Sequence, residues 1–408
     1  MSKFDDLLLE QCPHGVPFKP LGDVGEFIRG NGLQKSDLTD AGHPAIHYGQ
    51  IHTFYGTWAD RTKSFTDPLK AVRLRRAKTG DLVIATTSED DDAVAKATAW
   101  LGDEEAAVSG DAYIYRHRLD PRYVAYFFQT EQFHSQKRRG ITGTKVRRIS
   151  GDALAKVRIP VPPLSVQHEI VKMLDAFAEL EAELEAELEA RRRQYSHYRD
   201  TLLTFSDAGV PRIPLGELAT IVRGASPRPI QAFLTSAENG LPWIKIGDVP
   251  AGDKFITKTA QYVTSEGAQK SRRVRPGDFV MSNSMSFGRP YISKIEGCIH
   301  DGWLSISDFA DSFVPDFLYH LLRSKSVQSE LARRASNGTV QNLNADIVKA
   351  VAVPVPPLAE QERIVEILDK FEALVNSLTD GLPAELQARR QQYEYYRDKL
   401  LTFEEVEA

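Results

Sequence analysis

From Phe177 to Phe205, apolar residues return on alternating steps of three and four: Phe177, Leu184, Leu188, Tyr195, Tyr198, Leu202 and Phe205. Glu181 and Arg191 interrupt the series, and Leu180 lies beside the first gap. A seam of period 3.5 predicts a helix that packs on a partner helix. Inside it, residues 178–189 read AELEAELEAELE, strong helix formers with no Gly or Pro. A helix from Ser165 to Phe205 would be about 60 Å long at 1.5 Å per residue. Elsewhere the pattern is shorter. The runs "DLVIATT" (81–87) and "DFVMSNS" (278–284), bounded by Gly, Pro and Asp, predict strands. The stretches "YVAYFFQTEQFHSQKRR" (123–139) and "DFLYHLLRSKSVQSELARR" (316–334) predict short helices. Each is followed by "PVPPL", whose prolines cannot lie inside a helix but can begin one.

These elements occur twice. "IPVPPLSVQHEIVKMLDAF" (159–177) recurs as "VPVPPLAEQERIVEILDKF" (353–371), and "RRRQYSHYRDTLLTF" (191–205) as "ARRQQYEYYRDKLLTF" (388–403). "PLGDVGEFIRG" (20–30) matches "PLGELATIVRG" (214–224), and "RRGITGT" (138–144) matches "RRASNGT" (333–339). A duplicated unit of about 200 residues is the organisation, each unit a variable domain followed by a long helix. The second helix carries "TDGLPAE" (379–385), which predicts a kink or restart near Pro383. The boundaries read from the repeat are 1–159, 160–205, 206–353 and 354–408.

Charge separates these pieces. The 408 residues sum to −5, but the two variable segments carry +2 and +3, whereas the helical segments 161–205 and 354–408 carry −4 and −6. The acidity lies in the helices, so the total does not argue against a nucleic-acid partner. With 42% apolar and 26% charged residues the composition is that of a globular protein. No apolar run reaches bilayer length, and the N-terminal stretch has acids where a signal peptide needs bases, so no membrane is expected. Cys12 and Cys298 form neither a disulfide framework nor a metal spacing, which points to a reducing cytoplasm.

With both helix motifs present twice and in order, the chain resembles the specificity subunit of type I restriction-modification systems along its whole length. The tetrapeptide array resembles one subgroup of that family. The resemblance implies an α+β fold: two α/β target recognition domains joined by two long antiparallel helices, the segments conserved in the family, with a pseudo-two-fold internal repeat. It implies a non-catalytic subunit whose two domains each read one half of a split, asymmetric site in double-stranded DNA. It further implies helices that form a spacer and dock two adenine methyltransferase subunits, a complex that a restriction translocase subunit can join. A methylation-only complex, and a helical adaptor whose globular domains bind protein, are the other readings.

Catalysis is the rival class, and the sequence lacks its motifs. The Pro-Pro pairs follow Val, not the Asn/Asp of a base-holding methyltransferase loop, and no Gly-rich nucleotide turn follows a strand. S-adenosylmethionine is therefore expected in the partner, with no cofactor bound by this chain. His43, His47 and His52 lack a Cys or carboxylate at ligand spacing, so no metal is expected. "SEDDDA" (88–93) reads as an exposed loop.

For DNA contact the shared Arg-Arg-x-x-x-Gly-Thr gives Arg138, Arg139, Gly143 and Thr144 in one half, and Arg333, Arg334, Gly338 and Thr339 in the other. Arginine forks and loop donors suit phosphate, while arginines ending a helix also suit its negative pole. Past these loops Lys145, Arg147 and Arg148 face Gln341 and Asn342, a divergence that reading different half-sites requires. Asn283, Ser284, Ser286 and Arg289 are further candidates, as are Arg29 and Arg223 at equivalent Arg-Gly turns. Spacer and docking roles fall to Leu180, Leu184, Leu188, Tyr195, Tyr198, Tyr393 and Tyr396.

Overall fold

Strands Phe18–Pro20 and Arg158–Pro160 pair antiparallel and close the first variable domain at its base, as Arg212–Pro214 and Ala352–Pro354 close the second. The computed structural model describes residues 3–205, 209–249, 253–283, 287–335, 342–376 and 381–406. It divides into two compact units, one of residues 1–183 with 386–408, the other of residues 184–385.

In the first unit a five-stranded sheet has the order Gly25–Arg29, Ala112–His117, Leu82–Ala85, Ala97–Trp100, Trp58–Ala59. A four-stranded sheet runs Ser64–Thr66, His43–Ile46, Ala106–Val108, Arg76–Ala77. The run "LVIA" shows no polar alternation because both of its faces are covered. Leu82 and Ile84 join the core under helices Pro121–Phe127 and Glu131–Lys137, while Val83 and Ala85 join Ile46, Trp100 and Val108 on the other side. The second unit repeats this with a sheet ordered Thr220–Arg223, Trp303–Ser307, Phe279–Ser282, Pro290–Ser293, Phe255–Ile256. Its second sheet has the order Leu234–Thr235, Gln261–Val263, Leu241–Ile244, Gly297–Ile299, Arg272–Val274.

Each predicted short helical stretch is two helices. Thr130 accepts the Phe133 N–H through its hydroxyl and starts Glu131–Lys137. Ser324 interrupts the second stretch between Pro315–Arg323 and Lys325–Ala335. A capping hydroxyl offers the next helix its first acceptor, so the chain turns there.

Leu164–Leu202 form one helix of 39 residues, starting directly after the prolines of "PVPPL". Along the AELE array, Glu181, Leu184 and Leu188 are covered while Leu180 is 48% exposed, so the covered stripe keeps the 3.5 period through the glutamate. Glu181 is held there by Arg390, Nε to Oε1 2.6 Å. Phe177 stacks on Tyr396, ring centroids 5.5 Å apart, so as one chain rises from 177 to 181 its neighbour falls from 396 to 390, an antiparallel pair. The second unit contains the equivalent stack, Tyr198 on Phe371 at 5.3 Å. Each unit therefore joins the opening helical turns that follow its own sheets to the closing "QY..YRD" turns of the other repeat. The distal helix is in two pieces, Leu358–Asn376 and Leu382–Leu400, with Pro383 in the first turn of the second.

The motif glutamine after "PVPPL" is buried in both repeats. Gln167 Oε1 accepts the Asp120 N–H at 2.9 Å and its amide donates to the Pro162 carbonyl at 2.7 Å. Gln361 accepts the Val314 N–H and donates to the Ser312 and Pro356 carbonyls, each at 2.9 Å. One side chain thus ties the first turn of each long helix to the loop that precedes the sheet domain's own helices.

Candidate nucleic-acid interface

On the first unit, a turn at Ser109–Asp111 links two strands, and three elements converge on it. Arg29, ending the first strand of the large sheet, donates Nε–H to the Gly110 carbonyl at 3.0 Å. Thr86 donates its backbone N–H and its hydroxyl to the Asp111 carbonyl, at 3.0 and 2.9 Å. The Thr86 carbonyl in turn accepts the Ile149 N–H, which seats a basic hairpin, Ile141–Thr142 with Arg147–Ile149, beside the turn. Arg147 and Arg148 pair with Ser88 and Thr87, making a three-stranded sheet. The hairpin tip needs glycine: Gly143 has φ +92°, and a Cβ there would lie 2.2 Å from the Val146 carbonyl oxygen.

The second unit builds the same junction from different residues. Arg223 Nε–H donates to the Asp301 carbonyl at 3.0 Å. Asn283 takes the place of Thr86, its backbone N–H on the Gly302 carbonyl, its Nδ2 on the Asp301 carbonyl, and its own carbonyl accepting the Leu343 N–H. Asn283 is 2% exposed, so it holds the turn from inside rather than offering a free donor. Position by position, Ser109 and Asp111 become His300 and Gly302, and Arg148 becomes Asn342.

The candidate residues divide by partner. Arg139, Thr144, Lys145 and Arg148 are exposed, and among the described residues their side chains have no hydrogen-bond or ion-pair partner. Arg289 and Asn342 are exposed in the same way. Arg147 is bound by Asp91 at 2.9 Å and by the Gly143 carbonyl at 2.6 Å. Arg138 lies 3.1 Å from Glu131 and 3.8 Å from Asp92. Arg333 and Arg334 both hold Glu330, at 2.7 and 2.6 Å, and together they pull its carboxyl down to about 2. Ser284, Ser286, Gly338, Thr339 and Gln341 lie outside the described residues. Of the helix residues, Leu188 and Tyr195 are buried, Leu184 and Tyr393 half-buried, and Leu180, Tyr198 and Tyr396 exposed.

The acidic stretch 88–93 is not merely an exposed loop. Asp91 and Asp92 face Arg147 and Arg138, and the buried Lys137 ammonium donates to the Asp92 and Val94 carbonyls at 2.7 and 2.6 Å. Burial pushes Lys137 down to about 8. The acids thus balance the hairpin's charge, a pairing that sequence distance hides.

His47 caps a short helix through Nδ1, and His52 Nε2 lies 3.0 Å from the Thr87 carbonyl; burial lowers both. In the second unit His320, Asp369 and Glu372 gather their ligand atoms within 4.8 Å. Cations already serve this cluster. Arg323 contacts Glu372 at 2.5 Å, Lys254 lies 3.6 Å from Asp369, and the His320 nitrogens face Tyr195 and Asp369 at 3.2 and 2.9 Å. The arrangement is a half-buried ion network, in which Lys254 also holds Asp316 at 2.7 Å, and it clamps Tyr195 of the central helix to the sheet domain.

Two sheet domains with equivalent arginine-held turns, the first with a basic hairpin beside its turn, define the class of a DNA-recognition protein built by duplication. The family of the type I restriction modification DNA specificity domain matches twice, over residues 13–190 and 210–388, and the chain belongs to that family. Its curated relatives are specificity subunits of type I restriction enzymes. It is 34% identical over 271 residues to the type I restriction enzyme EcoR124I/EcoR124II specificity subunit of Escherichia coli, covering 64% of this chain and 66% of that one, just under two thirds of its length. It is 32% identical over 314 residues to the putative type I restriction enzyme specificity subunit S.HindORF215P of Haemophilus influenzae, covering 74% and 76%. Among solved structures, a chain from a study of type I R-M complex assembly and conformational transition aligns with TM-score 0.68 at 21% identity over 95% of this chain and 97% of its own. The HsdS subunit of Thermoanaerobacter tengcongensis aligns at TM-score 0.50 and 20% identity, over 96% and 97%. These two support the fold. Among the described residues, no helix is long and apolar enough to cross a membrane.

Proposed function

We propose that each unit reads one half of a bipartite, asymmetric site in double-stranded DNA, with two adenine methyltransferase subunits docked on the helices. The observation that carries this reading is the repeated junction: equivalent backbone frames at Arg29 and Arg223 carry divergent side chains at the turn and loop. A common frame with different donors suits two different half-sites.

Docking of two identical partners is supported by equivalent exposed apolar patches. In the first unit Phe4, Leu8, Met173, Phe177, Leu180 and Tyr396 line a groove of about 600 Å³. In the second, Tyr198 and Leu374 are 40% and 38% exposed beside Phe371. Phe177, Leu180 and Tyr396 correspond to Phe371, Leu374 and Tyr198 in the repeat. S-adenosylmethionine and the transfer step then belong to the partner, a restriction translocase can join, and the complex works in the cytoplasm. The purified chain mixed with its methyltransferase subunit should bind duplex DNA and methylate adenine. Failure of the pair to bind DNA, with both folded, would overturn the reading.

A further inference from the structure

Of the Arg-Arg pairs that the two units share, only Arg139 lacks a side-chain partner among the described residues. Arg138, Arg333 and Arg334 are engaged by carboxylates of their own helices. A different pair recurs at the junction. Arg29 and Arg223 each fix their guanidinium through Nε on the adjacent turn, at 3.0 Å in both units. Both side chains are exposed, and the Arg29 terminal nitrogen is 4.0 Å from Asp111, outside hydrogen-bond range.

Beside each lies a second arginine on an equivalent strand edge. The segments "RRAKTGD" (75–81) and "RRVRPGD" (272–278) align, so Arg75 corresponds to Arg272. The Val108 N–H donates to the Arg75 carbonyl, and the Val108 carbonyl accepts the Asn31 N–H two residues beyond Arg29. In the second unit Arg272 is in register with Ile299, whose carbonyl accepts the Ala225 N–H two residues beyond Arg223. Arg75 reaches back to donate Nη1–H to the Arg29 carbonyl at 2.6 Å. Arg75 and Arg272 are exposed, and among the described residues neither has a carboxylate partner.

We infer that Arg29 with Arg75, and Arg223 with Arg272, are the sequence-independent phosphate anchors of the two recognition domains. The inference rests on the DNA reading given above. Domains that read different bases share only the backbone of their ligand. A feature common to both, the Nε-held Arg29 and Arg223 with Arg75 and Arg272 matched by strand register, suits phosphate, while the divergent rim beside it, Asp111 against Gly302 and Arg148 against Asn342, meets bases. Arginine suits the task because a guanidinium held through Nε still presents its two terminal nitrogens as a fork. The anchors set the register of the duplex on each domain, and the loops can then vary without loss of placement.

The test uses the full chain assembled with its methyltransferase subunits. Arg29→Gln with Arg75→Gln, and separately Arg223→Gln with Arg272→Gln, are compared with wild type in binding to a short duplex of arbitrary sequence as salt is varied. Two lost contacts should lower the slope of log affinity against log salt by about 1.8, so that between 50 and 200 mM salt the variant loses about 12-fold less affinity than wild type. Adenine methylation of a randomised duplex library should keep the same half-sites. Because Arg29 and Arg223 also hold turns, Arg75→Gln and Arg272→Gln are made alone, each expected to lower the slope by about 0.9. A loosened turn would weaken binding with the slope unchanged, and that result overturns the proposal. A changed half-site also overturns it, assigning the arginines to bases. Absence of duplex binding by the wild-type complex would instead remove the DNA reading itself.

Discussion

Replacing Gln361 by Leu should destabilise the second unit more than any surface change in it. The side chain is fully buried and satisfies three backbone groups, the Val314 N–H and the Ser312 and Pro356 carbonyls. Leucine keeps most of the volume and satisfies none of them. A buried polar group left without a partner costs about 1–3 kcal/mol; with the Pro356 bond buried and the other two part-buried, the loss should fall in the lower part of the three-group range, about 3–5 kcal/mol. That is a large part of the roughly 5–15 kcal/mol that holds a domain folded. Gln167→Leu strands one N–H and one carbonyl, and should cost about 2–4 kcal/mol in the first unit. Two units need not unfold together, so a single melting curve would mix them. Hydrogen exchange resolved by peptide separates them: Gln361→Leu should lower protection across residues 290–322 and leave residues 80–128 unchanged, and Gln167→Leu should do the reverse. A loss below about 1 kcal/mol at Gln361, or a larger loss at Gln167, would refute the argument that unsatisfied backbone groups set the effect.

Three further outcomes follow from local geometry. Both ring nitrogens of His117 are sealed from solvent, and burial, opposed by Asp81 and Asp120, lowers its pKa to about 4. The unfolded chain takes up that proton near pH 6.5, so the first unit should lose stability as pH falls from 6.5 towards 4, on the order of 3 kcal/mol in full. His117→Phe should flatten this dependence in hydrogen exchange at pH 7 and 5, and an unchanged dependence would assign it elsewhere. Gly143→Ala places a Cβ against the Val146 carbonyl at positive φ and should cost about 1–2 kcal/mol locally. Its DNA affinity should fall while the melting of the unit barely moves, and an unaltered affinity would remove the hairpin tip from the interface. Deleting one AELE shortens the helix by about 6 Å and rotates it by roughly 40°, close to the 34–36° of one base pair. Both half-sites should stay the same and the gap should shorten by one base pair in mapped methylation; an active variant with an unchanged gap would show that the array does not set spacing.

The duplication, the long helix and its restart at Leu382 were legible because each rests on local signals: a period, a proline pair, a repeated motif. Antiparallel helices were expected from the family resemblance, but no local signal in the sequence shows which copy of the repeat supplies the closing turns. Phe177 meets Tyr396, 219 positions away, and the repeat looks the same whichever copy supplies the partner. The glutamine in "PVPPL..Q" was visible as a repeated letter, but only burial shows that its hydrogen bonds explain it. At the interface, Arg-Arg before Gly-Thr drew attention as a motif, yet Glu131 and Glu330 neutralise much of it. Arg75 and Arg272 sit at different offsets from Arg29 and Arg223, and only strand register brings them to equivalent places.

The central claim, that one chain reads two separate half-sites with two domains, is tested most directly by mapping methylated adenines in DNA from cells carrying this chain and its methyltransferase subunit. The account predicts two constant half-sites of different sequence separated by a gap of fixed length and free composition. One uninterrupted motif, or two identical half-sites, would contradict it.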